Sequence, residues 1–467
     1  MQKSLLSKLE NPNRPLLGPN VKALEFWGLL LPKSHYKIAM YMMLHLLVII
    51  FTGTEYVDIY FVRSDMNLVL NNMKITLLAT VSVCKVTTFI LWQKKWKTII
   101  EYVTKADMNQ RKVADSKSWK IINSYTAYSR IITYMYWFLV YSTLVIVVFH
   151  PILKFILTPN YKENVRNGTD TFLQVASSWV PFDKNRVPGY LVACIYQTYA
   201  SIYGVGWFTS FDTNAFVIMI FFRGELEMLR KDSAAIFGRK DKISTEESFQ
   251  RLKSCRERHT ELLKYARIFN TCLSPILLLY IFVCSIMLCA TAQQIQIQSN
   301  AMEKFLTTEY LVFGVAQLFM YCWHSNDVMY TSQYLMRGPY ESRWWLTEGK
   351  TSKDIYLLID QFRKTITFNA GPFSHLTLPT FISVSRDFFI FLCHHHHNYL
   401  RVRPLSVEQS PLFSPVCQPL HLFIIPGTHC FLHVLPIFKS WPCSSSLSLN
   451  FAFYHNSQQV VMSYSMF

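Results

Sequence analysis

Long apolar stretches recur along the chain between clusters of charged residues. A bilayer core of about 30 Å is crossed by about 20 predominantly apolar residues in a helix. The pattern therefore predicts an all-α, polytopic membrane protein. Four stretches meet the length requirement most clearly: 38–60, 131–153, 188–211 and 268–291.

Three weaker stretches, 66–92, 306–326 and 365–385, bring the prediction to seven transmembrane helices. The first of them contains Lys74 and Lys85. Both lysines lie near a predicted helix end, so their long side chains are expected to carry the ammonium groups to the membrane interface. A soluble or re-entrant helix is the alternative interpretation of 66–92.

Positive charge alternates between the segments that join the predicted spans, with 32 lysines and arginines in one set and seven in the other. The rich set is 1–37, 93–127, 223–267 and 331–364, and the poor set is 58–68, 151–187 and 292–304. Positively charged loops stay in the cytoplasm. We therefore expect residues 1–37 to form a cytoplasmic N-terminus. The sequon at Asn167 then falls outside, as a glycosylation candidate.

The apolar run from Val187 to Phe222 would form a helix of about 54 Å, too long for the bilayer core alone. The residues that follow, 223–267, mix both charges at helical spacing. They predict a cytoplasmic helical hairpin. Such extensions from several spans would pack into a shared cytoplasmic helical anchor region.

Composition narrows the function further, with 51% hydrophobic and only 16% charged residues. The formal charge of +17 is spread between apolar blocks, whereas a nucleic-acid binder gathers it on one face, so no nucleic-acid partner is predicted. No catalytic motif stands in a supporting context, and we predict neither an enzyme nor a cofactor. Cys255 and His259 would supply only two of the four ligands of a structural zinc site, and no metal is predicted.

Aromatic and small polar residues are predicted to lie in the outer halves of several spans. Such residues can line a mostly apolar cavity that takes small lipophilic ligands. The alternative interpretation is an interfacial aromatic belt and ordinary helix packing. The candidate pocket residues are Met73, Thr76, Trp137, Tyr141, Tyr190, Tyr196, Tyr199 and Tyr203.

The chain from residue 321 to 384 resembles the C-terminal signature of the insect odorant receptor family. The resembling positions are Tyr321, Cys322, Trp323, Asn326, Ser332, Tyr340, Trp344, Ala370, Gly371, Phe373, Leu376, Leu378, Thr380 and Phe381. Upstream, Asp212 and the spaced Cys255, His259, Leu262 and Leu263 also resemble the family. The resemblance covers most of residues 1–384. It implies a seven-helix odorant-receptor domain over residues 38–384.

The resemblance implies a seven-helix subunit of an odorant-gated, non-selective cation channel, assembled as a heterotetramer with a shared co-receptor. It implies that small volatile odorants bind among the outer halves of spans two, three, four and six. The last helix would line the pore, in the plasma membrane of a sensory neuron dendrite, in contact with lipid. The related gustatory-type chemoreceptors share this topology and remain an alternative, whereas the charge pattern argues against a G-protein-coupled receptor.

The segment 365–384 resembles the start of the family's pore helix, but the sequence then departs from the pattern. Arg386 stands loosely at a basic position, the expected Tyr-Ser pair is absent, and Asp387 adds an acid. The tail, 385–467, lacks helical or strand periodicity and resembles translated intron or a shifted reading frame. An eighth span over 420–442 is an alternative. A polypeptide with this tail is expected to bind odorant without conducting.

Overall fold

The computed structural model describes residues 10–386, apart from 168, 170, 185, 187, 239–243, 298–300, 343, 347–349 and 373. All of these residues belong to one unit of the chain, Met1–Tyr399. The predictions made for Phe373, for Asp387 and for the remainder of the tail fall outside the described residues.

The described residues fold almost entirely into helices. These are α1 Gly18–Phe26, α2 His35–Phe61, α3 Met66–Leu91, α4 Gln93–Val113, α5 Ser116–Leu157, α6 Pro159–Arg166, α7 Gly189–Ser233, α8 Thr245–Ile297, α9 Ala301–Gln333, α10 Arg337–Glu341 and α11 Lys350–Phe362. Short 3₁₀ helices cover Tyr334–Met336 and Trp344–Leu346. The strands β1 Asn369–Ala370 and β2 Ser374–His375 pair antiparallel in a hairpin.

Six helices in the described part of the chain are long and apolar enough to cross a membrane: α2, α3, α5, α7, α8 and α9. Each contains one of the first six predicted spans, so the prediction of an all-α, polytopic membrane protein is confirmed. The connections α2–α3, α5–α7 and α8–α9 share one end of the bundle, which we call the loop end. The opposite end, with α4, α10 and α11, is the anchor end.

The prediction of a helix throughout 365–385 is wrong for its first half. Residues 366–376 form the extended hairpin, and helix begins only at 378 and continues to 386. Gly371 and Pro372 lie in this first half, and proline and glycine both weaken a helix interior. Apolar length alone is therefore a poor guide here.

Three helices extend far beyond a bilayer thickness, and α8, with 53 residues, is about 80 Å long. Their charged ends at the anchor end pair with one another, as the predicted helical hairpin requires. Arg258 of α8 bonds Asp232 of α7 at 2.5 Å. Lys231 of α7 pairs with Asp115, the N-cap residue of α5. The hydrogen bond from the Lys231 ammonium, followed by those from Ser118, holds the pKa of Asp115 well below its usual range.

Helix α7 is the centre of the bundle, and 94% of the apolar stretch that could cross the membrane is buried inside the protein. Its neighbours α3, α5, α8 and α9 surround it on all sides. Large aromatic residues such as Phe211, Phe216 and Phe222 fill its surface and are fully buried. A helix that is apolar all round belongs in the interior, and this explains why the single charge in its apolar run needs a partner within the protein.

That charge belongs to a buried network in which four helices meet. Asp212 of α7 and Lys85 of α3 form an ion pair of 2.6 Å, and both side chains are 0% exposed. The hydroxyl of Tyr136 and the amide of Gln317 donate to Oδ2 of Asp212 at 2.7 and 2.6 Å. The hydroxyl of Tyr321 donates to Oδ1 at 2.5 Å. We call these five residues the charge network.

Aromatic rings enclose the ammonium end of the charge network. Lys85 Nζ lies 4.0 Å from the ring centroid of Phe208 and 5.3 Å from that of Tyr280 on α8. A desolvated ammonium over an aromatic face gains about 2 kcal/mol. The network therefore also connects α8, and it satisfies both charges without water.

The expectation that both lysines of α3 reach the membrane interface is wrong. Lys85 ends at Asp212, and Lys74 is 7% exposed and donates to Oε1 of Gln294 at 2.8 Å. Both residues lie on the inward side of α3, where partners from distant parts of the chain are nearer than water. Ionisable residues within membrane helices commonly face the bundle interior and pair there.

We expect Lys85→Met to lower the free energy of unfolding by about 3–5 kcal/mol, because it leaves the Asp212 carboxylate buried without a cation. The double variant Lys85→Met with Asp212→Asn should recover most of the loss, since it removes the buried charge. The amide oxygen can still accept from Tyr136 and Gln317, and the amide N–H can donate to the Tyr321 hydroxyl. Denaturant unfolding in detergent measures both. Lys94→Met, at an exposed position, is the control, and equal losses in the single and double variants would contradict the ion-pair account.

Candidate functional site

The signature residues that resemble the family's C-terminus build the hairpin 366–376 onto α8 and α9. The Ser332 hydroxyl of α9 accepts the Ile366 N–H at 2.9 Å. On the α8 side, Asn270 Oδ1 accepts the Asn369 N–H at 2.8 Å. The hairpin is closed by a bond of 2.9 Å from the Leu376 N–H to the Phe368 carbonyl. Side chains from two helices thus replace the ladder partners that so short a strand pair lacks.

Gly371 occupies the turn of this hairpin with a φ of +66°. Its N–H donates to the Ser274 carbonyl of α8 at 3.1 Å. A Cβ atom at this position would stand 2.7 Å from Leu278 of α8. Both the backbone conformation and the close approach to α8 require glycine.

The helix that follows the hairpin starts against the end of α9. Asn326 Oδ1 accepts the Leu378 N–H at 3.4 Å, and the Thr380 hydroxyl bonds the His375 carbonyl at 2.6 Å. The Phe381 ring lies edge-on to Phe319 at 5.5 Å. The structure therefore brings Thr380 and Phe381 to the point where this helix begins.

The other signature residues divide between the bundle interior and the anchor end. Tyr321 belongs to the charge network, Cys322 is fully buried beside it, and the Trp323 ring lies 5.6 Å from Phe319. In contrast, Tyr340 is 70% exposed at the anchor end. Trp344 packs edge-on to Tyr356 of α11 at 5.9 Å. The signature residues thus hold the hairpin and the helix after it, pack in the bundle interior, or lie at the anchor end.

The eight candidate pocket residues lie at different depths in the bundle. The positions along α7 give the depth, because each helical residue advances about 1.5 Å. Tyr190 is at the loop end, with its ring stacked on Phe172 at 4.5 Å. Trp137 lies much deeper, since its indole bonds Thr213 at 3.4 Å. About 35 Å of helix separates Tyr190 from Thr213, so these residues do not share one cavity.

Three of the candidates are taken up by packing in the middle of the bundle. The Tyr203 ring contacts Trp27, which follows α1, at 5.5 Å, and Trp207 at 5.1 Å. Tyr141 also interacts with Trp27. Tyr199 stacks on Tyr203 at 5.8 Å, and its enclosed hydroxyl has no hydrogen-bond partner among the described residues.

Tyr196 and the α3 candidates lie nearer the loop end. The Tyr196 ring meets Phe51 of α2 at 5.3 Å, and Ile75 packs against the same cluster. Thr76 is buried and bonds the Asn72 carbonyl of its own helix, while Met73 is half-buried. Tyr196, Met73 and Thr76 thus lie in the half of the bundle nearer the loop end, and their part in a ligand pocket stays a prediction.

Several polar residues of the outer half were missed by the choice of aromatic residues. Lys74 bonds Gln294, and the Tyr310 hydroxyl of α9 donates to the Lys74 carbonyl at 2.9 Å. Glu55 and Asp58 of α2 are buried as well. Charged residues inside an apolar span were the signal that would have found them, since such residues usually face the bundle interior.

The segment 171–184 covers the outer ends of α2 and α7, and we call it the cover segment. Ser177 and Lys184 bond Asp58 at 2.5 and 2.8 Å. The Trp179 N–H donates to the Thr54 carbonyl at 3.1 Å. These bonds fix the cover segment over α2, so an outer-half ligand would lie beneath it.

Two open clefts adjoin the cover segment at the loop end. One, of about 390 Å³, is lined by Asp58, Trp179, Phe182 and Lys184 among others. The other, of about 450 Å³, includes Arg186 and Val192 of the start of α7. Ligand sites for small molecules typically measure about 300–1,000 Å³. Both clefts are wide open to the surface, whereas a ligand site encloses most of its ligand.

Asn167 ends α6 at the loop end and its side chain is exposed. The residue is thus accessible on the side that the charge pattern places outside the cell. Its glycosylation stays a prediction.

The whole fold is similar to that of an insect olfactory receptor. The insect olfactory receptor OR5 from Machilis hrabei, in complex with eugenol, superposes with a TM-score of 0.70 at 16% identity. The match covers 81% of this chain and 97% of that chain. A second structure of the same receptor gives a TM-score of 0.63 at 18% identity, and 78% and 90% of the two chains are covered. At this identity the likeness establishes the fold.

Curated relatives are also odorant receptors. Odorant receptor Or2 from Anopheles gambiae is 24% identical over 147 residues, and Odorant receptor 13a from Drosophila melanogaster is 23% identical over 235 residues. These matches cover 31% and 46% of this chain, and the chain spans 39% and 54% of the two relatives. The Odorant receptor coreceptor from Anopheles gambiae is 24% identical over 129 residues, 27% of each chain.

A family pattern described as 7tm Odorant receptor matches residues 65–388, more than two thirds of the chain. The matched range contains the charge network, the hairpin and the start of the last helix. With the fold and the signature residues in agreement, the chain belongs to the 7tm odorant receptor family.

Proposed function

We propose that this odorant receptor is a subunit of an odorant-gated, non-selective cation channel that acts with an odorant receptor co-receptor. Its family is one of receptors, and the chain is not an enzyme. The observation that supports a channel most directly is the hairpin 366–376, which holds the start of a further helix against α8 and α9. The family resemblance assigns the pore to this helix, and its attachment to α8 and α9 supports that assignment.

The charge network supports a route from ligand to pore. Asp212 is bonded by Gln317 and Tyr321 of α9, and Asn326 lies about one to two turns further along the same helix. Asn326 accepts the first N–H of the last helix. A ligand that binds the outer half with different affinity in two states of α3, α7 and α9 would thus bias the helix at the other end.

The arrangement in the cell follows from the charge pattern. With the positive segments in the cytoplasm, the loop end faces outward and receives volatile odorants, while the anchor end meets partner subunits inside. We propose the plasma membrane of a sensory neuron dendrite as the site of action, with lipid around the bundle. One relative is itself an odorant receptor co-receptor, which supports association with such a partner.

A functional test is to record currents from frog oocytes that express the chain with an odorant receptor co-receptor, under a panel of volatile odorants including eugenol. When the pore helix is complete, as in the chimera described next, we expect an odorant-evoked inward current that persists when potassium replaces sodium and that disappears when a large organic cation replaces both. The natural chain, with its tail 385–467, is expected to give no such current. Oocytes with the co-receptor alone are the control, because they report any response that does not depend on this chain.

A chimeric receptor separates the receptor domain from its tail. In this chimera, residues 385–467 are replaced by the corresponding C-terminal segment of Odorant receptor 13a from Drosophila melanogaster. If only the chimera conducts, the tail interrupts the pore helix and the receptor domain is competent. If the natural chain and the chimera both reach the cell surface and neither conducts, the channel proposal is wrong.

Gly371→Ala is expected to loosen the hairpin without unfolding the bundle. The positive φ costs about 1–2 kcal/mol for a residue with a Cβ atom, and Leu278 must also move. Trypsin cleavage after Arg363 and Lys364 should accelerate about 5–30-fold, in proportion to the open population. Gly314→Ala, in a helix with open space around it, is the matched control. An unchanged cleavage rate for Gly371→Ala would contradict the role given to this turn.

A further inference from the structure

A carboxyl group without a partner lies in the outer half of α2. The Glu55 side chain is 1% exposed, and its Oε2 atom is enclosed by protein with no hydrogen-bond partner among the described residues. An ionised carboxylate in such surroundings is destabilising by several kcal/mol unless a cation or donors compensate it. The protein thus keeps an unsatisfied acceptor in the region of the candidate pocket.

The neighbouring acid is already compensated. Asp58, one turn further along α2, accepts from the Lys184 ammonium at 2.8 Å, from Ser177 at 2.5 Å and from Asn72 at 3.4 Å. It therefore has a cation and two neutral donors. Glu55 is the acid of this pair that still lacks a cation.

The buried and half-buried lysines of the loop end have other partners. Lys74 donates to Gln294 at 2.8 Å, and Lys154 pairs with Glu303 at 3.0 Å. Lys184 holds both Asp58 and the Ser178 carbonyl. None of the ion pairs within the described part of the chain includes Glu55. The Oε2 atom of Glu55 could therefore accept a hydrogen bond from a cation of a ligand.

An aromatic and apolar cluster lies one turn before Glu55 along α2. Phe51, one turn earlier on the same face of α2, packs with Tyr196, and Ala200 of α7 belongs to the same cluster. The hydroxyls of Tyr196 and Tyr310 lie within electrostatic range of the Glu55 carboxyl. Carboxylate beside aromatic faces is the combination that recognises organic ammonium groups.

A surface cleft lies one helical turn from this position, and Glu55 itself is not among the residues that line it. The cleft of about 390 Å³ is lined by Asp58, and its Trp179 and Phe182 walls are apolar. Glu55 lies three residues before Asp58, on the adjacent turn of the same helix. The cleft thus opens to the surface one helical turn away from the unpartnered carboxyl.

We propose that Glu55 is the counter-ion for the ammonium group of a small organic amine, and that amines are the ligand class of this receptor. The amine enters by the loop-end cleft, places its hydrocarbon part against Phe51 and Tyr196, and gives its N–H donors to Glu55. The inference rests on the proposed function, in which the outer half binds the odorant.

An organic ammonium fits this position better than a metal cation. Calcium takes six to eight oxygen ligands and magnesium requires near-ideal octahedral geometry. Glu55 offers one carboxyl group, the oxygens of Asp58 are engaged, and the remaining walls are rings and methyl groups. One carboxyl group and apolar walls are sufficient for an amine with a short hydrocarbon chain.

The test uses two probes of one carbon skeleton, 3-methylbutylamine and 3-methylbutanol, with the purified full-length chain in lipid nanodiscs at neutral pH. Binding is measured by isothermal titration calorimetry. We expect the wild-type protein to bind the amine at least about tenfold more tightly than the alcohol. Glu55→Gln should abolish this preference by weakening the amine at least about tenfold, with the alcohol nearly unchanged.

Two further variants keep the result interpretable. Glu163→Gln removes one exposed acid of α6 and should leave the preference intact, while Glu55→Asp retains the charge and should preserve part of it. Folding does not confound the comparison, because glutamine has nearly the same shape as glutamate and places no charge in the interior. A preference for the alcohol, equal binding of both probes, or a preference that survives Glu55→Gln would each overturn the proposal.

The experiment can reject the assignment of amines as the ligand class without rejecting the proposed receptor function. If eugenol or other neutral odorants bind or evoke current and the amine does not bind, the proposed function stands and the assignment of amines is wrong. If the folded protein binds neither amine nor neutral odorant, both proposals fail together.

Discussion

The rest of the structure depends on the buried ion pair between Lys85 and Asp212. Each charge would be very costly alone in an apolar interior, so the helices that carry them are acceptable only when they meet. Three further donors from α5 and α9 complete the acceptor shell of Asp212. This requirement specifies how α3, α5, α7 and α9 are placed around one point. General apolar packing among lipid-like surfaces would not specify it.

The same point separates two regions of different chemistry. Toward the loop end lie short bonds between buried polar residues, the cover segment and the unpartnered Glu55. Toward the anchor end lie the hairpin and the paired ends of the long helices. Both regions attach to α7 and α9, so a displacement of these two helices would move residues in both regions. The geometry suits a receptor in which binding and gating occur in different parts of one bundle.

The C-terminal signature acquires a physical meaning in this arrangement. Tyr321 closes the charge network, Ser332 and Asn326 hold the backbone before and after the hairpin, and Gly371 lets the turn approach α8. Ser332, Asn326 and Gly371 together fix the start of the last helix, whereas Tyr321 stabilises the bundle interior. Tyr340 is different, since it is exposed at the anchor end.

The sequence by itself determined the class of protein, six of the spans and the long charged extensions. Apolar length and charge alternation are local properties of the sequence, and they directly determine which segments insert into the bilayer and in which direction. The sequence did not predict the hairpin, because apolar length favours a helix over 365–385. Only the tertiary structure decided where polar and aromatic side chains end. Lys85 finds its partner 127 positions away, the eight pocket candidates spread along the bundle, and Glu55 is left without a cation. A side chain's partner depends on which helices become neighbours, and hydropathy along one segment contains no record of that.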